Sequence, residues 1–210
     1  MMRIDSISEK PDRAGRYCIR FSNGSTMRLY RQTVEDFGLY TGLELTAQQL
    51  SDLRNAAGQM SAKMRAVRIV SASSVSKRDL QERLVRKGES EDQAREAVQW
   101  MEDLHLVNDR NTAEQVVHSC ISKGYGLQRA KQALYEKRIP KRYWEEALAD
   151  YPDQYEKIEA FLQSRLDADS DQKQIRKAID ALIRRGHSYG TIRSVLNGLS
   201  FDTDEIYEDF

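Results

Sequence analysis

Apolar and polar positions alternate along residues 3–30, which is the period of a strand. Tyr17, Ile19 and Phe21 alternate with Arg16, Cys18 and Arg20, and Met27 and Leu29 with Thr26, Arg28 and Tyr30. Between these runs stands Asn23-Gly24, a pair expected to supply two positive-φ residues to a tight hairpin turn. With residues 3–8 this predicts a small antiparallel sheet. Both of its faces carry apolar groups, so the pattern leaves the buried face open. A short helix is expected over about 32–37, stopped by Gly38, and residues 42–45 read as a connector. Thr46 with Gln49 then forms a capping box that opens a helix carrying Leu50 and Leu53. Gly58 is placed to break or bend that helix.

Beyond this point the periodicity is helical only, and it repeats. Residues 76–88 read as one short helix. Ser76 caps it with Asp79 as its capping-box partner, Leu80 and Leu84 stack one turn apart, and Gly88 follows the last turn. The set Leu80, Leu84, Gly88 returns as Ala130, Leu134, Arg138 and again as Ala178, Leu182, Gly186, at intervals of about 50 residues. Each anchor helix is followed by a start signal: Ser90 with Gln93, Pro140 at a first helical position, and Ser188. Corresponding apolar sets follow: Ala94, Ala97, Val98, Met101; Trp144, Ala147, Leu148, Tyr151; Ile192, Val195, Leu196, Leu199. A helix also precedes each anchor, lined by Met60, Met64, Val67 and Val70, then by Ala113, Val116, Val117, Cys120 and Ile121, then by Ile158, Phe161, Leu162 and Leu166.

The expected fold class is therefore mainly α, with three tandem three-helix repeats and a small N-terminal antiparallel β segment. One unit of three short helices buries little, so stacking into an elongated curved body is expected. The expected divisions are 1–58 for the sheet and connecting helix, 59–108, 109–155, and 156–210 for the third repeat with an acidic tail. The N-terminal segment carries no repeat signature and is expected to be an accessory, removable near Ser61.

The chain has 210 residues, 31% of them charged, with 33 basic and 33 acidic side chains. Zero formal charge argues against a generic nucleic-acid coat, but the charges are segregated. Acids gather in 89–103 and 202–209, bases in 77–87, 123–142 and 173–193. No apolar run approaches the roughly 20 residues of a membrane span, and the N-terminus lacks the apolar core of a signal peptide. A cytoplasmic protein is expected, with Cys18 and Cys120 as reduced thiols.

Candidate chemistry is sparse. His105, His118 and His187 stand far apart and outside metal-ligand spacing, and each reads as a surface or half-buried structural residue. Gly124-Tyr125-Gly126 lacks a third glycine and a preceding strand, so it reads as a turn between helices. Acidic neighbours such as Glu145-Glu146 point apart on a helix. Neither an enzyme nor a cofactor is expected.

Three stretches carry a resemblance: Ser76-Lys77-Arg78-Asp79-Leu80 with Leu84 and Lys87-Gly88; Lys123-Gly124-Tyr125-Gly126; and, most specific, residues 185–196, RGHSYGTIRSVL. Over about residues 60–200 the chain resembles the RecX family, bacterial regulators of the RecA recombinase. The resemblance implies three tandem three-helix repeats in a protein that lies in the groove of the RecA–DNA filament and restrains it. The chain departs from the family's pattern in two places. Asn108-Asp109 followed by Thr112-Ala113 stands where paired aspartates and Phe-Ala are usual, and His187 stands where an aromatic usually follows Arg-Gly.

The basic edge is the expected partner-binding surface: Lys77, Arg78, Arg83, Arg86 and Lys87 in the first repeat; Lys123, Arg129, Lys131, Lys137 and Arg138 in the second; Arg176, Lys177, Arg184, Arg185 and Arg193 in the third. Tyr125, Tyr135, Tyr143 and Trp144 are candidates for stacking, though Trp144 occupies a core-like position. The expected partner is the RecA filament, met by a monomer, with DNA reached through the basic edge and no membrane. The alternative is a helical-repeat protein that binds nucleic acid without RecA.

Overall fold

A computed structural model describes residues 1–167 and 169–199 of the chain. The expected acidic tail, 202–209, lies outside the described residues. The chain divides into two compact units, one over 1–107 and the other from Asn108 onward. No described helix is long and apolar enough to cross a membrane.

The first unit opens with strands β1 (Met2–Ile7), β2 (Arg16–Phe21) and β3 (Thr26–Tyr30), followed by helix α1 (Arg31–Asp36) and the two-residue strand β4 (Glu44–Leu45). All pairings are antiparallel, in the order β3-β2-β1-β4. The stretch 42–45, read as a connector, thus supplies the fourth strand, with Met2 opposite Leu45. The hairpin turn also differs from expectation. Only Gly24 has positive φ, at 79°. The Gly24 amide donates to the Phe21 carbonyl at 2.8 Å and the Phe21 amide to Ser25 at 2.9 Å, a turn closed by a left-handed glycine and a bulge. Asn23 contributes its side chain, whose Oδ1 accepts the Ser25 amide at 3.0 Å. The buried face, open on the pattern alone, carries Ile4, Ile19, Phe21 and Leu29, closed by Leu45, Leu50 and Leu53.

Leu50 and Leu53 belong to helix α2 (Ala47–Ala72), which starts at the Thr46–Gln49 capping box. Gly58 does not break it. A side chain there would run into Gln93 of helix α4 (Glu91–Asp103), so the glycine permits a close helix approach. For the same reason the buried face of the helix further on is Ala62 and Ala66, with Met60 and Met64 only half buried. One continuous helix therefore serves two cores. Its first turns seal the sheet, and its later turns pack with Leu80 and Leu84 of helix α3 (Lys77–Arg86) and Ala94, Ala97, Val98 and Met101 of α4. The expected boundary near Ser61 falls inside this helix, whose first turns belong to the core of the sheet.

The second unit contains α5 (Asp109–Ser122), α6 (Leu127–Glu136), a 3-10 turn (Lys141–Tyr143), α7 (Trp144–Leu148), α8 (Tyr155–Gln163), α9 (Gln172–Arg184) and α10 (Tyr189–Gly198). Two clusters fill it. Ala113, Val117, Leu134 and Ile139 form one, with Trp144 and Tyr151 against it. Ile158, Leu162, Ile179, Leu182, Ile192 and Leu196 anchor the other. Pro140 precedes a 3-10 turn rather than a full helix, so the third helix of the middle repeat shrinks to five residues.

The repeats share one backbone device. After α3, α6 and α9 the chain turns left-handed at Gly88 (φ 94°), Arg138 (φ 56°) and Gly186 (φ 87°). The amides of Glu89, Ile139 and His187 then donate to the carbonyls of Leu84, Leu134 and Leu182, at 3.2, 3.0 and 3.2 Å. This is the bonding of a Schellman turn. It returns the chain over the core leucine and aims the next helix.

Candidate interaction site

The expected basic residues do not form one uniform edge. In the first repeat the cations are largely spoken for: Lys77 pairs with Glu102 at 2.5 Å, Arg78 with Glu82 at 3.2 Å, and Arg83 with the buried Asp79 at 2.9 Å. Ser76 does cap α3, accepting the Asp79 amide at 3.1 Å, but the Asp79 carboxylate bonds Arg83 instead of closing a capping box. Arg86 is exposed and donates to the Glu82 carbonyl at 3.4 Å; Lys87 is exposed, and its carbonyl accepts from Arg65. Buried Glu89 is held by Arg65 at 2.7 Å and Ser61 at 2.9 Å.

The second unit is different, and its geometry begins with two glycine turns. Helix α5, capped by Asn108 Oδ1, ends in a turn at Gly124 (φ 67°), where the Tyr125 amide donates to the Cys120 carbonyl at 2.9 Å. Thr112, at a departure from the family pattern, is buried and donates its hydroxyl to the Asn108 carbonyl at 2.8 Å. Helix α6 begins at Gly126, which has no side chain to cap it. The turn that ends α9 takes that role: the Gly126 amide donates to the Arg185 carbonyl at 2.9 Å and the Gln128 amide to the Gly186 carbonyl at 3.1 Å. The carbonyl end of one helix thus satisfies the open amides of another, with favourable dipole alignment. Two residues close the joint. His187 Nε2 lies 3.0 Å from the Gly124 carbonyl, and the Tyr151 hydroxyl donates to the Tyr125 carbonyl at 2.7 Å.

His187 is buried, not a surface or half-buried residue. Burial pushes its pKa below the usual imidazole range, and Arg185 adds to this, while the bond to Gly124 opposes it. Burial also lifts the Tyr151 phenol to about 12 and raises the Cys120 thiol. Both cysteines are free.

Next to this joint Arg129, Arg165, Arg184 and Arg185 line an open cavity of about 630 Å³ with Tyr125 and Phe161. Two guanidinium groups flank the Phe161 ring, Arg165 at 4.8 Å and Arg185 at 5.1 Å from its centroid, and Arg185 also lies 5.9 Å from Tyr125. Such stacking holds the arginines while leaving N–H edges for an anion. Arg129 pairs with Glu136 at 3.0 Å. Of the expected site residues the fold gathers three here: Arg129, Arg184 and Arg185. Arg165 and the role of Phe161 are additions. Phe161 lies in the apolar stripe of α8 and Arg165 just beyond its end; what marks them is their place in one cavity with Tyr125 and Arg129, which sequence spacing does not show.

The other expected residues lie apart from this cavity. Lys123 ends α5 and is exposed, Lys131 and Lys137 are half buried, and Arg138, Arg176, Lys177 and Arg193 are exposed. Among the stacking candidates, Tyr135 is 64% exposed, Tyr143 lies against its neighbour Arg142, and Trp144 donates to the Ile139 carbonyl from a half-buried position. Among the described residues no group of His, Cys, Asp or Glu is arranged to hold a metal ion.

Comparison with known proteins agrees with this arrangement of helices. Residues 108–148 match a family model described as RecX, second three-helix domain. The chain is 27% identical to "Regulatory protein RecX" of Clostridioides difficile (strain 630), over 85% of this chain and 87% of that one. It is 25% identical to the protein of the same name from Caldanaerobacter subterraneus subsp. tengcongensis, over 90% and 95%. Among solved structures, RecX from Lactobacillus salivarius superposes with a TM-score of 0.60 at 25% identity, covering 69% of this chain and 97% of that one. A second crystal structure, of a regulatory protein RecX, superposes at 0.64 over 94% of this chain and all of the other; at 20% identity it speaks for the fold. Family model, relatives matched over most of the chain and structural neighbours agree: the chain is similar to RecX proteins along most of its length.

Proposed function

We propose that the chain regulates the RecA recombinase, lying in the groove of the RecA–DNA filament and restraining its growth, its ATP turnover and its access to other ligands. The action is steric and energetic, with no bond made or broken, and the chain acts as a monomer. Its relatives carry the name of regulatory proteins. The observation that carries the reading to particular residues is the cavity of Arg129, Arg165, Arg184 and Arg185. Four guanidinium groups around one cavity suit the carboxylates and phosphates that a protein–DNA filament presents together. Arg86, Lys87, Lys123, Lys131, Lys137, Arg138, Arg176, Lys177 and Arg193 extend the positive surface. The ion-paired Lys77, Arg78 and Arg83 have less to offer.

The test is RecA-dependent ATPase on single-stranded DNA, titrated with this protein. Saturable inhibition supports the reading, and unchanged turnover at excess protein defeats it. The same cluster would also suit phosphates alone. DNA affinity without RecA that falls steeply with salt, together with no effect on RecA, would favour that second reading.

A further inference from the structure

The cavity beside the joint holds more positive charge than its surroundings neutralise. No carboxylate lines it, and of Arg129, Arg165, Arg184 and Arg185 only Arg129 has a carboxylate partner among the described residues. Most of these arginines are also held in place. The Arg185 carbonyl accepts the Gly126 amide at 2.9 Å, and the Arg185 guanidinium lies against Phe161 and Tyr125. Arg165 stacks on Phe161. The Arg129 amide donates to the Gly126 carbonyl at 3.1 Å, and its backbone sits so close to Gly186 that a side chain there would strike it. Groups fixed before a ligand arrives cost little to order when it binds.

We infer that this cavity is a binding site for a small polyphosphate, two or three linked phosphate groups such as a nucleoside di- or triphosphate carries, read through the phosphate chain and not the base. Charge chooses the ligand. One phosphate group carries about −1.5 to −2 near pH 7, and a carboxylate a single charge. Neither balances Arg165, Arg184 and Arg185 together, whereas a linked pair or triplet of phosphates does. A nucleic-acid strand carries one charge per phosphate and spreads these along its length, so fewer reach one cavity. The planar forks of arginine suit phosphate oxygens. The cavity, about 630 Å³, falls within the roughly 300–1,000 Å³ of small-molecule sites. Both of its rings are engaged by guanidinium groups, so they position arginines and the base is not what is read. The carbonyls of Arg185 and Gly186, which end α9 and would repel an anion, are taken by the amides of Gly126 and Gln128. The site stands on the cavity and its charge. Its consequence, competition between polyphosphate and the filament for these arginines, rests on the function proposed above.

The experiment keeps binding and regulation separate. The full-length chain is titrated by calorimetry, in low salt and without magnesium or RecA. The ligands are inorganic triphosphate, ATP, inorganic phosphate and a tetrathymidine oligonucleotide with no terminal phosphate. Triphosphate and ATP are expected to bind saturably, within about threefold of each other and at least about tenfold more tightly than phosphate or the oligonucleotide. Arg165→Gln with Arg184→Gln should weaken triphosphate at least about tenfold. Arg20→Gln with Arg28→Gln, at two exposed positions of the sheet, removes the same charge elsewhere and should change the affinity far less. No saturable binding of triphosphate at millimolar concentration overturns the inference. So does a clear preference for ATP over triphosphate, an oligonucleotide bound as tightly as triphosphate, or an equal loss in the two double variants. Should the cavity variant fail to fold, the ligand series decides alone. Co-sedimentation of the chain with RecA filaments on single-stranded DNA, with and without added triphosphate, reads the consequence: triphosphate is expected to release the chain. If the chain never co-sediments, the proposed function fails while the titration stands.

Discussion

The carbonyl of Gly186 accepts the amide of Gln128 at 3.1 Å, so the end of α9 caps the start of α6. The two family-like stretches around these residues, Gly124-Tyr125-Gly126 and Arg185-Gly186-His187, are therefore the two halves of one joint. A side chain at Gly126 would collide with the Gly186 carbonyl and the His187 amide, and one at Gly186 with the backbone of Arg129.

Gly186→Ala should accordingly destabilise the second unit by more than about 2 kcal/mol, since it combines a left-handed residue with overpacking against backbone. Gly190→Ala is the control. It sits in the first turn of α10 with nothing but Ser188 Oγ at 4.0 Å, so a gain of about 0.4–1 kcal/mol is expected. Urea unfolding followed by circular dichroism measures both, and equal effects would disprove the joint.

Arg138 occupies the left-handed position that glycine takes after α3 and α9, at φ 56°. Arg138→Gly should relieve strain and stabilise the chain by up to about 1 kcal/mol, the cost of that region to an L-residue less the added entropy of the unfolded glycine. A clear loss of stability in the same unfolding assay would show that the arginine side chain outweighs its backbone strain.

Leu84, Leu134 and Leu182 share one slot in the three repeats, each essentially excluded from solvent. Each change to alanine should cost about 2–5 kcal/mol. A loss under about 0.5 kcal/mol at any one of them would contradict its place as the pivot of its repeat.

His187 titrates below its unfolded range because burial disfavours the charged ring. The unfolded chain therefore takes up the proton first as pH falls. The contribution of neutral His187 is complete above about pH 6.5 and declines as pH drops from there through the lower folded value. Melting temperature followed from pH 7.5 to 5 should fall more for wild type than for His187→Gln, which keeps a donor for Gly124. Parallel curves would remove His187 as the cause.

Arg184→Glu with Arg185→Glu should weaken inhibition of RecA ATPase at least tenfold, about 1.4 kcal/mol, with only a modest change in melting temperature. Both arginines lie at the end of α9, where their charge also favours the helix dipole by about 0.3–1 kcal/mol each when exposed, which is why the stability change is not zero. Added salt should weaken the wild type and narrow the gap. Inhibition equal to wild type at low salt would place the binding surface elsewhere.

Local chemistry carried most of the fold. Strand alternation, the boxes at Thr46–Gln49 and Ser90–Gln93, and the leucine-then-glycine spacing of the anchors are properties of neighbours within a turn or a strand. They were therefore legible from Leu84, Leu134 and Leu182 without coordinates. Tertiary packing decided what spacing cannot express. Gly58 reads as a breaker until Gln93 of α4 is set against it, and then it is the reason two helices approach closely. Residues 42–45 become a strand only because β1 offers them an open edge. Lys77, Arg78 and Arg83 look as available as Arg184 and Arg185, since charge in a sequence has no partner attached. Glu102, Glu82 and Asp79 cancel the first three, while the Gly126–Gly186 joint gathers Arg129, Arg184 and Arg185 with Arg165 around Phe161. A carboxylate screens a guanidinium only within a few ångströms, and which groups come that close is settled by the packing of helices far apart in the chain.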